Sequence, residues 1–323
     1  MSAREHSEGG ARIVDLAGRS VTLPAQVNRV VSLHPLTTHV VWRLAPNKLM
    51  NMDRMFQARV SKFPCPPADR VLLQSLPVTG VYSDSLDQDL ITSLRPDLIV
   101  SVANDPNIDK YQPKFGCQAI AVSKATLDAC SASFELIGKA VGNLGGGYEL
   151  AAYWNGAMRR VAACTGRIPA STRLKVYYAS HDALLTTPGT STIMSSILNL
   201  AAAIGFSAAN PGSGIAPTDE RGAISLEQLV AWDPDVIVTS NSSLPPQIVS
   251  DPRLRGVGAV VHDRVYANPP EASLDGVKSL MGLVWISTLL YPKTVTLDYE
   301  TEAQTYYALF NKSGIKAQAR PAA

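Results

Sequence analysis

Several side chains that can bind a metal or an anion follow predicted strands of this chain. His34 and His181 each come just after a strand, one in each half of the sequence, and their imidazoles could meet on a metal or a metal chelate. Arg54 follows a short predicted strand at 48–52, and its planar guanidinium could pair with an anionic chelate. Each has a plainer alternative, which is a bond to the backbone for the histidines and a solvated surface position for Arg54.

Tyr82 precedes a predicted helix and lies seven residues before Asp89. Its phenolate would be a hard oxygen donor for a metal ion. The alternative is a half-buried aromatic side chain that only packs within its loop. Together with His34 and His181, Tyr82 completes the set of candidate metal ligands.

Motifs of the common enzyme classes are absent from the sequence. No GxGxxG follows the first strand, and neither a Walker A loop, a GxSxG elbow nor an HExxH helix occurs. The cysteines have no CxxC spacing, which argues against a zinc or thioredoxin-like site, while disulfides and isolated thiols both stay open. These residues are Cys65, Cys117, Cys130 and Cys164. We therefore expect a protein that is not an enzyme.

The sequence contains an internal repeat. Residues 89–101 read DLITSLRPDLIVS, residues 227–239 read EQLVAWDPDVIVT, and the two align without a gap. Each begins with an acid seven residues before a proline, and Asp and a short apolar run follow that proline. This pattern predicts the end of a helix, a proline-enforced stop and a buried strand. One unit used twice suggests two similar lobes, with Asp89 and Glu227 at matching positions.

Composition and charge limit the function classes. A chain of 323 residues, 46% hydrophobic and 17% charged, is long enough for two folded α/β domains. A net charge of +2 without a basic stripe gives no reason to expect nucleic acid, and no apolar stretch approaches the roughly 20 residues of a membrane span. The polar first ten residues lack the apolar region of a signal peptide. That leaves a cytosolic protein or one whose export signal has been removed.

Predicted strands and helices alternate in both halves of the chain, which favours parallel sheets with helices on both faces. A helix from about 148 to 164 interrupts the alternation, and we interpret the glycines at 145–147 before it as a hinge or break. The predicted fold is therefore α/β, with two Rossmann-like lobes that have central parallel sheets and are joined by a rigid helix. The predicted segments are 12–142 for the N-terminal lobe, 143–168 for the inter-lobe helix and 169–312 for the C-terminal lobe.

As a set, several segments resemble the solute-binding proteins of ABC importers, of the type that carries iron–siderophore complexes, haem or cobalamin. The matching segments are 14–24 and 28–33 (opening hairpin and first strand), 94–100 (the N-lobe signature, LRPDLIV), 282–285 with 289–292 (a late helix) and 306–310 (the C-terminal helix). The resemblance covers roughly residues 12 to 312 in order.

The resemblance implies a monomeric periplasmic or extracytoplasmic protein that captures a metal chelate in a cleft between two lobes. It would deliver this ligand to a membrane permease and its ATPase, and would need neither a cofactor of its own nor nucleic acid. An iron–siderophore complex is the leading ligand, with haem, cobalamin or another metal complex as alternatives. A two-lobed chelatase is the nearest enzymatic alternative.

The resemblance also implies roles for particular residues. In that family, acids at the places of Asp89 and Glu227 pair with arginines on the two permease subunits, and a tyrosine spaced like Tyr82 ligates the iron of haem in some members. Ligands contact the loops at the carboxyl ends of the strands. The candidate ligand-binding residues are therefore His34, Met52, Arg54, Tyr82, His181, Asn241, Ser242, Glu271 and Leu274.

Overall fold

The computed structural model describes residues 10–82, 86–180, 183–206, 222–274 and 276–313. The chain divides into two compact units, of which the first comprises residues 1–124, 128–153 and 305–315 and the second residues 125–127, 154–304 and 316–323. Each unit contains its own parallel sheet and surrounding helices. This confirms the predicted α/β class with two sheet-containing units.

The first unit is built on a parallel sheet with the strand order β3-β4-β5. The strands are β1 (Arg12–Val14), β2 (Ser20–Thr22), β3 (Val30–Ser32), β4 (Leu98–Val102) and β5 (Gln118–Val122). The helices are α1 (Pro35–Leu44), α2 (Arg54–Gln57), α3 (Pro67–Ser75), α4 (Gln88–Leu94), α5 (Ile108–Phe115) and α6 (Leu127–Ala140). β4 is buried along its whole length, as expected of a strand in a parallel sheet covered on both faces.

The predicted strand at 48–52 is shorter than expected. It is reduced to two isolated bridges, which pair Leu49 with Val30 and Met52 with Val78. The hairpin predicted near the start of the chain is confirmed, because β1 and β2 pair antiparallel. The N–H of Leu16 in its turn donates to the carbonyl of Ala121 at 2.9 Å, so the hairpin covers the open edge of β5.

The second unit contains a four-stranded parallel sheet with the order β11-β10-β6-β8. The strands are β6 (Lys175–Ala179), β7 (Thr186–Thr187), β8 (Ile204–Phe206), β9 (Gly222–Ala223), β10 (Val236–Thr239) and β11 (Val265–Ala267). The helices are α8 (Ile193–Leu200), α9 (Leu226–Trp232), α10 (Leu244–Ser250), α11 (Gly258–Val261) and α12 (Ser279–Leu290). Two long helices remain, α7 (Leu144–Thr165) and α13 (Tyr299–Asn311), and the unit boundary falls within each of them.

The internal repeat has the same form in both units. α4 and α9 each end at a residue in the left-handed conformation, Arg95 with φ 46° and Asp233 with φ 45°. A proline follows each of these residues, and the next strand of the sheet begins two residues later. The predicted order of helix, stop and buried strand is therefore confirmed in both places.

A basic side chain closes each repeat helix. Arg29 Nε donates to the last carbonyl of α4 at 2.8 Å, and Lys175 Nζ donates to the last carbonyl of α9 at 3.3 Å. Asp97 and Asp235, directly after the two prolines, accept the backbone N–H groups of the same basic residues at 3.0 and 2.7 Å. Cations at the carbonyl end complement the helix dipole, so each repeat helix is fastened to a strand of its own sheet.

The interpretation of residues 145–147 as a hinge is wrong, because α7 runs through them without a break. Asn143 caps this helix by accepting the N–H of Gly146 at 3.0 Å. The glycines instead permit close packing with α6. A Cβ on Gly147 would lie 2.7 Å from the carbonyl oxygen of Phe134 and 3.1 Å from the Cα of Gly138.

The end of α13 belongs to the first unit. Tyr306, Tyr307 and Phe310 are each no more than 1% exposed, and the ring of Phe310 lies 5.3 Å from that of Phe134. The carbonyl oxygen of Phe310 lies 3.0 Å from Nε2 of His39 in α1. The last helix of the chain therefore completes the core of the unit that contains its beginning.

Candidate functional site

Two predicted site residues of the first unit are neighbours at the carboxyl edge of its sheet. β3, β4 and β5 run parallel, so their carboxyl ends lie along the edge where open α/β sheets bind ligands. His34 follows β3, and Tyr82 is brought to this edge because its N–H donates to the carbonyl of Leu33 at 3.1 Å. The ring centroids of His34 and Tyr82 are 5.9 Å apart.

His34 is the N-cap of α1, and this position fixes the state of its ring. Nδ1 accepts the backbone N–H of Leu36 at 3.1 Å. Because the accepting nitrogen cannot carry a hydrogen, the neutral ring holds its hydrogen on Nε2. Burial, with a smaller effect from the charge of Lys124, lowers the pKa of His34 to about 3. The ring is therefore neutral at pH 7 and offers an N–H donor.

Lys124 belongs to the same edge, and the sequence reasoning missed it. It lies half-buried two residues after β5, and its charge is close enough to His34 to affect the pKa of that ring. The signal was present, since a cation directly after a predicted strand is the same kind of pattern that selected His34. The edge therefore combines a neutral N–H donor, a phenol and an ammonium group.

A buried hydrogen-bond network fastens the start of α1 to the start of α2. Asp53 is fully buried and accepts the hydroxyl of Thr38 at 2.6 Å and the N–H of Phe56 at 2.8 Å. The hydroxyl of Ser32 lies 2.9 Å from that of Thr38 and 2.6 Å from that of Thr37. Burial raises the pKa of Asp53, and these hydrogen bonds oppose the rise.

The two predicted residues on either side of Asp53 have different positions. Arg54 is the exposed first residue of α2, where a charged ligand can reach it. Met52 is only 1% exposed, and its N–H donates to the carbonyl of Pro77 at 2.8 Å. Met52 is part of the core and supports the loop that leads into α2. We therefore withdraw it as a ligand contact.

In the second unit, Asn241 and Ser242 follow β10. Asn241 Oδ1 accepts the N–H of Ser243 at 2.9 Å, and the N–H of Asn241 donates to the hydroxyl of Thr239 at 3.1 Å. Asn241 therefore shapes the turn after the strand, and Ser242 is exposed on that turn. His181, which follows β6, lies outside the described residues.

Glu271 and Leu274 follow β11. Glu271 is half-buried, and its charge adds to burial in raising the pKa of Tyr299. Leu274 is 1% exposed and packs against α12, where a Cβ on Gly282 would lie 2.7 Å from its Cδ2. We withdraw Leu274 as a ligand contact for the same reason as Met52.

The two acids of the internal repeat occupy the same place in their helices. Asp89 is exposed in the first turn of α4, and Glu227 is exposed in the first turn of α9. Asp87 caps α4 by accepting the N–H of the third helical residue at 2.9 Å, and Ser225 caps α9 in the same way at 3.1 Å. The two surfaces therefore present an acid in the same local geometry.

The surroundings of Glu227 keep it ionised. Hydrogen bonds from its own backbone N–H and from Ser225 lower the pKa of Glu227, and the charge of Arg253 adds to this effect. Arg253 itself forms an ion pair with Asp251 at 2.7 Å.

No disulfide joins any two of the four cysteines, so of the two states that the sequence left open the structure has thiols. Burial raises the pKa of Cys117 to about 12, with a smaller contribution from Asp97. Within the described ranges, no three His, Cys, Asp or Glu side chains are grouped so that they could hold a metal ion. In the same ranges, no helix has both the length and the apolar character needed to cross a lipid bilayer.

Comparison with known proteins places the chain among binding proteins. The family model for periplasmic binding proteins matches residues 39–272. The molybdate-binding protein MolA of Haemophilus influenzae is 24% identical over 332 residues, covering 94% of this chain and 92% of that protein. A cobalamin-binding protein of Halobacterium salinarum is 26% identical over 236 residues, covering 71% of this chain and 58% of that protein.

Solved structures share the fold. An ABC transporter solute-binding protein from Sulfurospirillum deleyianum superposes with a TM-score of 0.79 at 19% identity, covering 94% of this chain and 96% of that one. Molybdate-bound MolA superposes with a TM-score of 0.78 at 21% identity, covering 95% of this chain and 99% of that one. Since the family model matches well over half of the sequence, the chain belongs to the periplasmic binding protein family.

Proposed function

We propose that this protein is the substrate-binding component of an ABC importer, that it works outside the cytoplasm as a monomer, and that it performs no chemistry on its cargo. It would pass that cargo to a permease driven by an ATPase. Membership of the periplasmic binding protein family supports the transport role. The matches to a molybdate-binding and a cobalamin-binding protein support a cargo that contains a metal.

The duplicated acid-bearing helix is the observation that carries the importer role. Asp89 and Glu227 are exposed, stand in the first turns of matching helices and are followed by the same left-handed stop. A helix-start acid that only complements the dipole, worth roughly 0.3–1 kcal/mol, accounts for either acid separately. It does not account for their equivalent placement in two units, which suits docking to a permease made of two similar halves.

The cargo is, in our proposal, a metal in complexed form. An iron–siderophore complex, haem, cobalamin and a metal oxyanion such as molybdate all belong to this class. The loops after the strands of each unit would hold the cargo, through His34, Arg54 and Tyr82 in the first unit and His181, Asn241, Ser242 and Glu271 in the second. The neutral N–H donor of His34 favours a ligand that presents oxygen atoms.

Charge reversal tests the importer role. Asp89→Lys combined with Glu227→Lys should abolish transport in a system reconstituted with permease and ATPase, because both docking charges become repulsive. Folding and cargo affinity should stay at wild-type values, since both side chains are exposed. Asp128→Lys with Glu300→Lys is the matched control, because these acids are also exposed in helical first turns. Normal transport by the first double variant would remove the docking role.

Intrinsic fluorescence titration tests the cargo class. The panel should contain ferric siderophores, haemin, cobalamin and sodium molybdate, with nickel chloride as an uncomplexed cation. We expect saturable binding of at least one complexed metal and none of nickel. Binding of the free cation alone would contradict the proposed class.

A further inference from the structure

We propose that the carboxyl edge of the first unit's sheet is a subsite for anionic oxygen, in which the Nε2–H of His34 and the ammonium group of Lys124 bind the cargo. This subsite presupposes the importer role proposed above and narrows the chemistry of what is carried. It also replaces the expectation that His34 ligates a metal with the assignment of a hydrogen-bond donor.

The first step is the fixed tautomer of His34. Its Nδ1 is occupied by the N–H of Leu36 at 3.1 Å, so Nε2 is the ring atom left for a ligand, and it carries the hydrogen. To ligate a metal through Nε2, the ring would have to lose that hydrogen or give up the cap of α1. An oxygen acceptor requires neither change.

The second step is the charge beside the ring. Lys124 stands two residues past β5 and His34 two residues past β3, and both strands flank β4 in one parallel sheet. In agreement with this shared edge, the charge of Lys124 contributes to the lowered pKa of His34. A cation here repels a bare metal ion and attracts an anion, and a partly buried site strengthens both effects.

The third step is the chemical class of the ligand. A neutral N–H donor and an ammonium group both satisfy oxygen atoms that carry negative charge. Two sources supply such atoms, a free metal oxyanion and the anionic oxygens of a metal chelate. Arg54 is the exposed first residue of α2, whose N-cap Asp53 is hydrogen-bonded to Thr38 of α1 at 2.6 Å, and its guanidinium suits either source.

Calorimetric titration of the full chain tests the subsite. One titration uses sodium molybdate, and a separate one uses a ferric tris-catecholate complex. Lys124→Met should weaken binding by about 10- to 100-fold, the range expected for one charge-assisted hydrogen bond. Lys124→Arg should retain most of the affinity. Lys139→Met, which removes an exposed lysine of α6 in the same unit, should leave it unchanged.

The pattern of binding separates the two sources. Lys124-dependent binding of molybdate alone assigns a free oxyanion, and Lys124-dependent binding of the catecholate alone assigns a chelate. If neither anion binds, or if Lys124→Met binds like the wild type, the subsite is refuted. If the wild-type chain binds the anion but supports no transport of it with permease and ATPase, the importer role is refuted and the subsite stands.

Nitrogen-15 spectra of the histidine rings report the protonation and the chemical shift of Nε2 in His34. A purely structural role of His34 would leave that shift unchanged when the anion binds. His34→Asn identifies the signals, because asparagine can keep the helix cap. Nε2 should remain protonated after saturation with the anion, with a shift that reports the new hydrogen bond. A deprotonated, metal-bound Nε2 in the complex would overturn the assignment.

Discussion

At the scale of single residues, one hydrogen bond decides what His34 can do. Its Nδ1 is used to cap α1, so the choice between metal ligand and oxyanion donor is made by backbone structure. The sequence shows that His34 precedes Pro35, and a proline at the first helical position is a known start signal. It does not show which ring nitrogen the cap uses, because that depends on the three-dimensional path of the loop.

The lowered pKa of His34 predicts a pH effect on stability. Its pKa falls from 6.5 in the unfolded chain to about 3 in the folded protein, so acid protonates the unfolded chain first. The His34 contribution to the free energy of unfolding is therefore complete above pH 6.5 and is lost as pH falls towards 3. Urea unfolding at pH 7 and at pH 4.5 measures the free energy of unfolding at each pH. The difference between the two values should be smaller for His34→Asn than for the wild type.

The matched control for this measurement is His262→Asn, which replaces an exposed histidine of the second unit. It should keep the wild-type difference between the two pH values. If His34→Asn also kept that difference, the burial of a neutral ring at this position would be refuted.

At the scale of elements, Asp53 joins two helix starts that carry candidate site residues. Asp53→Ala would leave the hydroxyl of Thr38 and the N–H of Phe56 without their buried acceptor. We expect a loss of about 2–4 kcal/mol in the free energy of unfolding, because a lost cap and an unsatisfied buried donor add. Chemical denaturation measures this loss, and cargo affinity should fall with it.

Asp87→Ala is the control, because Asp87 also caps a helix but is exposed. This variant should lower the free energy of unfolding by about 1 kcal/mol and leave cargo affinity unchanged. Equal losses in the two variants would show that the network around Asp53 adds nothing to an ordinary cap.

The elements also show what the sequence could predict. The repeat around Asp97 and Asp235 predicted helix, stop and strand because these signals are local in the chain. The bonds of Arg29 and Lys175 to the repeat helices cross more than 50 residues of sequence, so no local pattern reveals them. The prediction of a hinge at glycines 145–147 is wrong for the same reason. These glycines pack against α6, and three consecutive glycines do not indicate which helix lies beside them.

For the candidate site, the sequence predicted that His34 and Tyr82 lie at the carboxyl edge of the sheet. It did not predict every residue that lies at this edge with them. The rule that ligands meet the carboxyl ends of strands selected both residues, and the structure places their rings side by side. Lys124 satisfied the same rule and was missed. Met52 and Leu274 satisfied it too, yet their side chains are buried, because the rule specifies a loop and not the direction of a side chain.

At the scale of the whole molecule, the two ends of the chain depend on each other. Phe310 is 1% exposed within the first unit and lies against Phe134. Phe310→Ala should therefore lower the free energy of unfolding by about 3–5 kcal/mol. Hydrogen exchange should locate the effect in the first unit, with lost protection in β4.

The comparison variant is Tyr148→Ala, which removes an aromatic side chain that is 52% exposed on α7. A change within about 0.5 kcal/mol is expected there. Unchanged protection of β4 in Phe310→Ala would show that the first unit holds together without the last helix.

Because α13 completes the first unit, that unit cannot finish folding until the end of the chain has been synthesised. The sheet of that unit is complete once β5 has been made, yet its core awaits Phe310, roughly 190 residues later. At typical elongation rates of about 5–20 residues per second, the nascent chain spends on the order of 10–40 s with an unfinished first unit. A message that stops short of the last helix would therefore damage the beginning of the protein as well as its end.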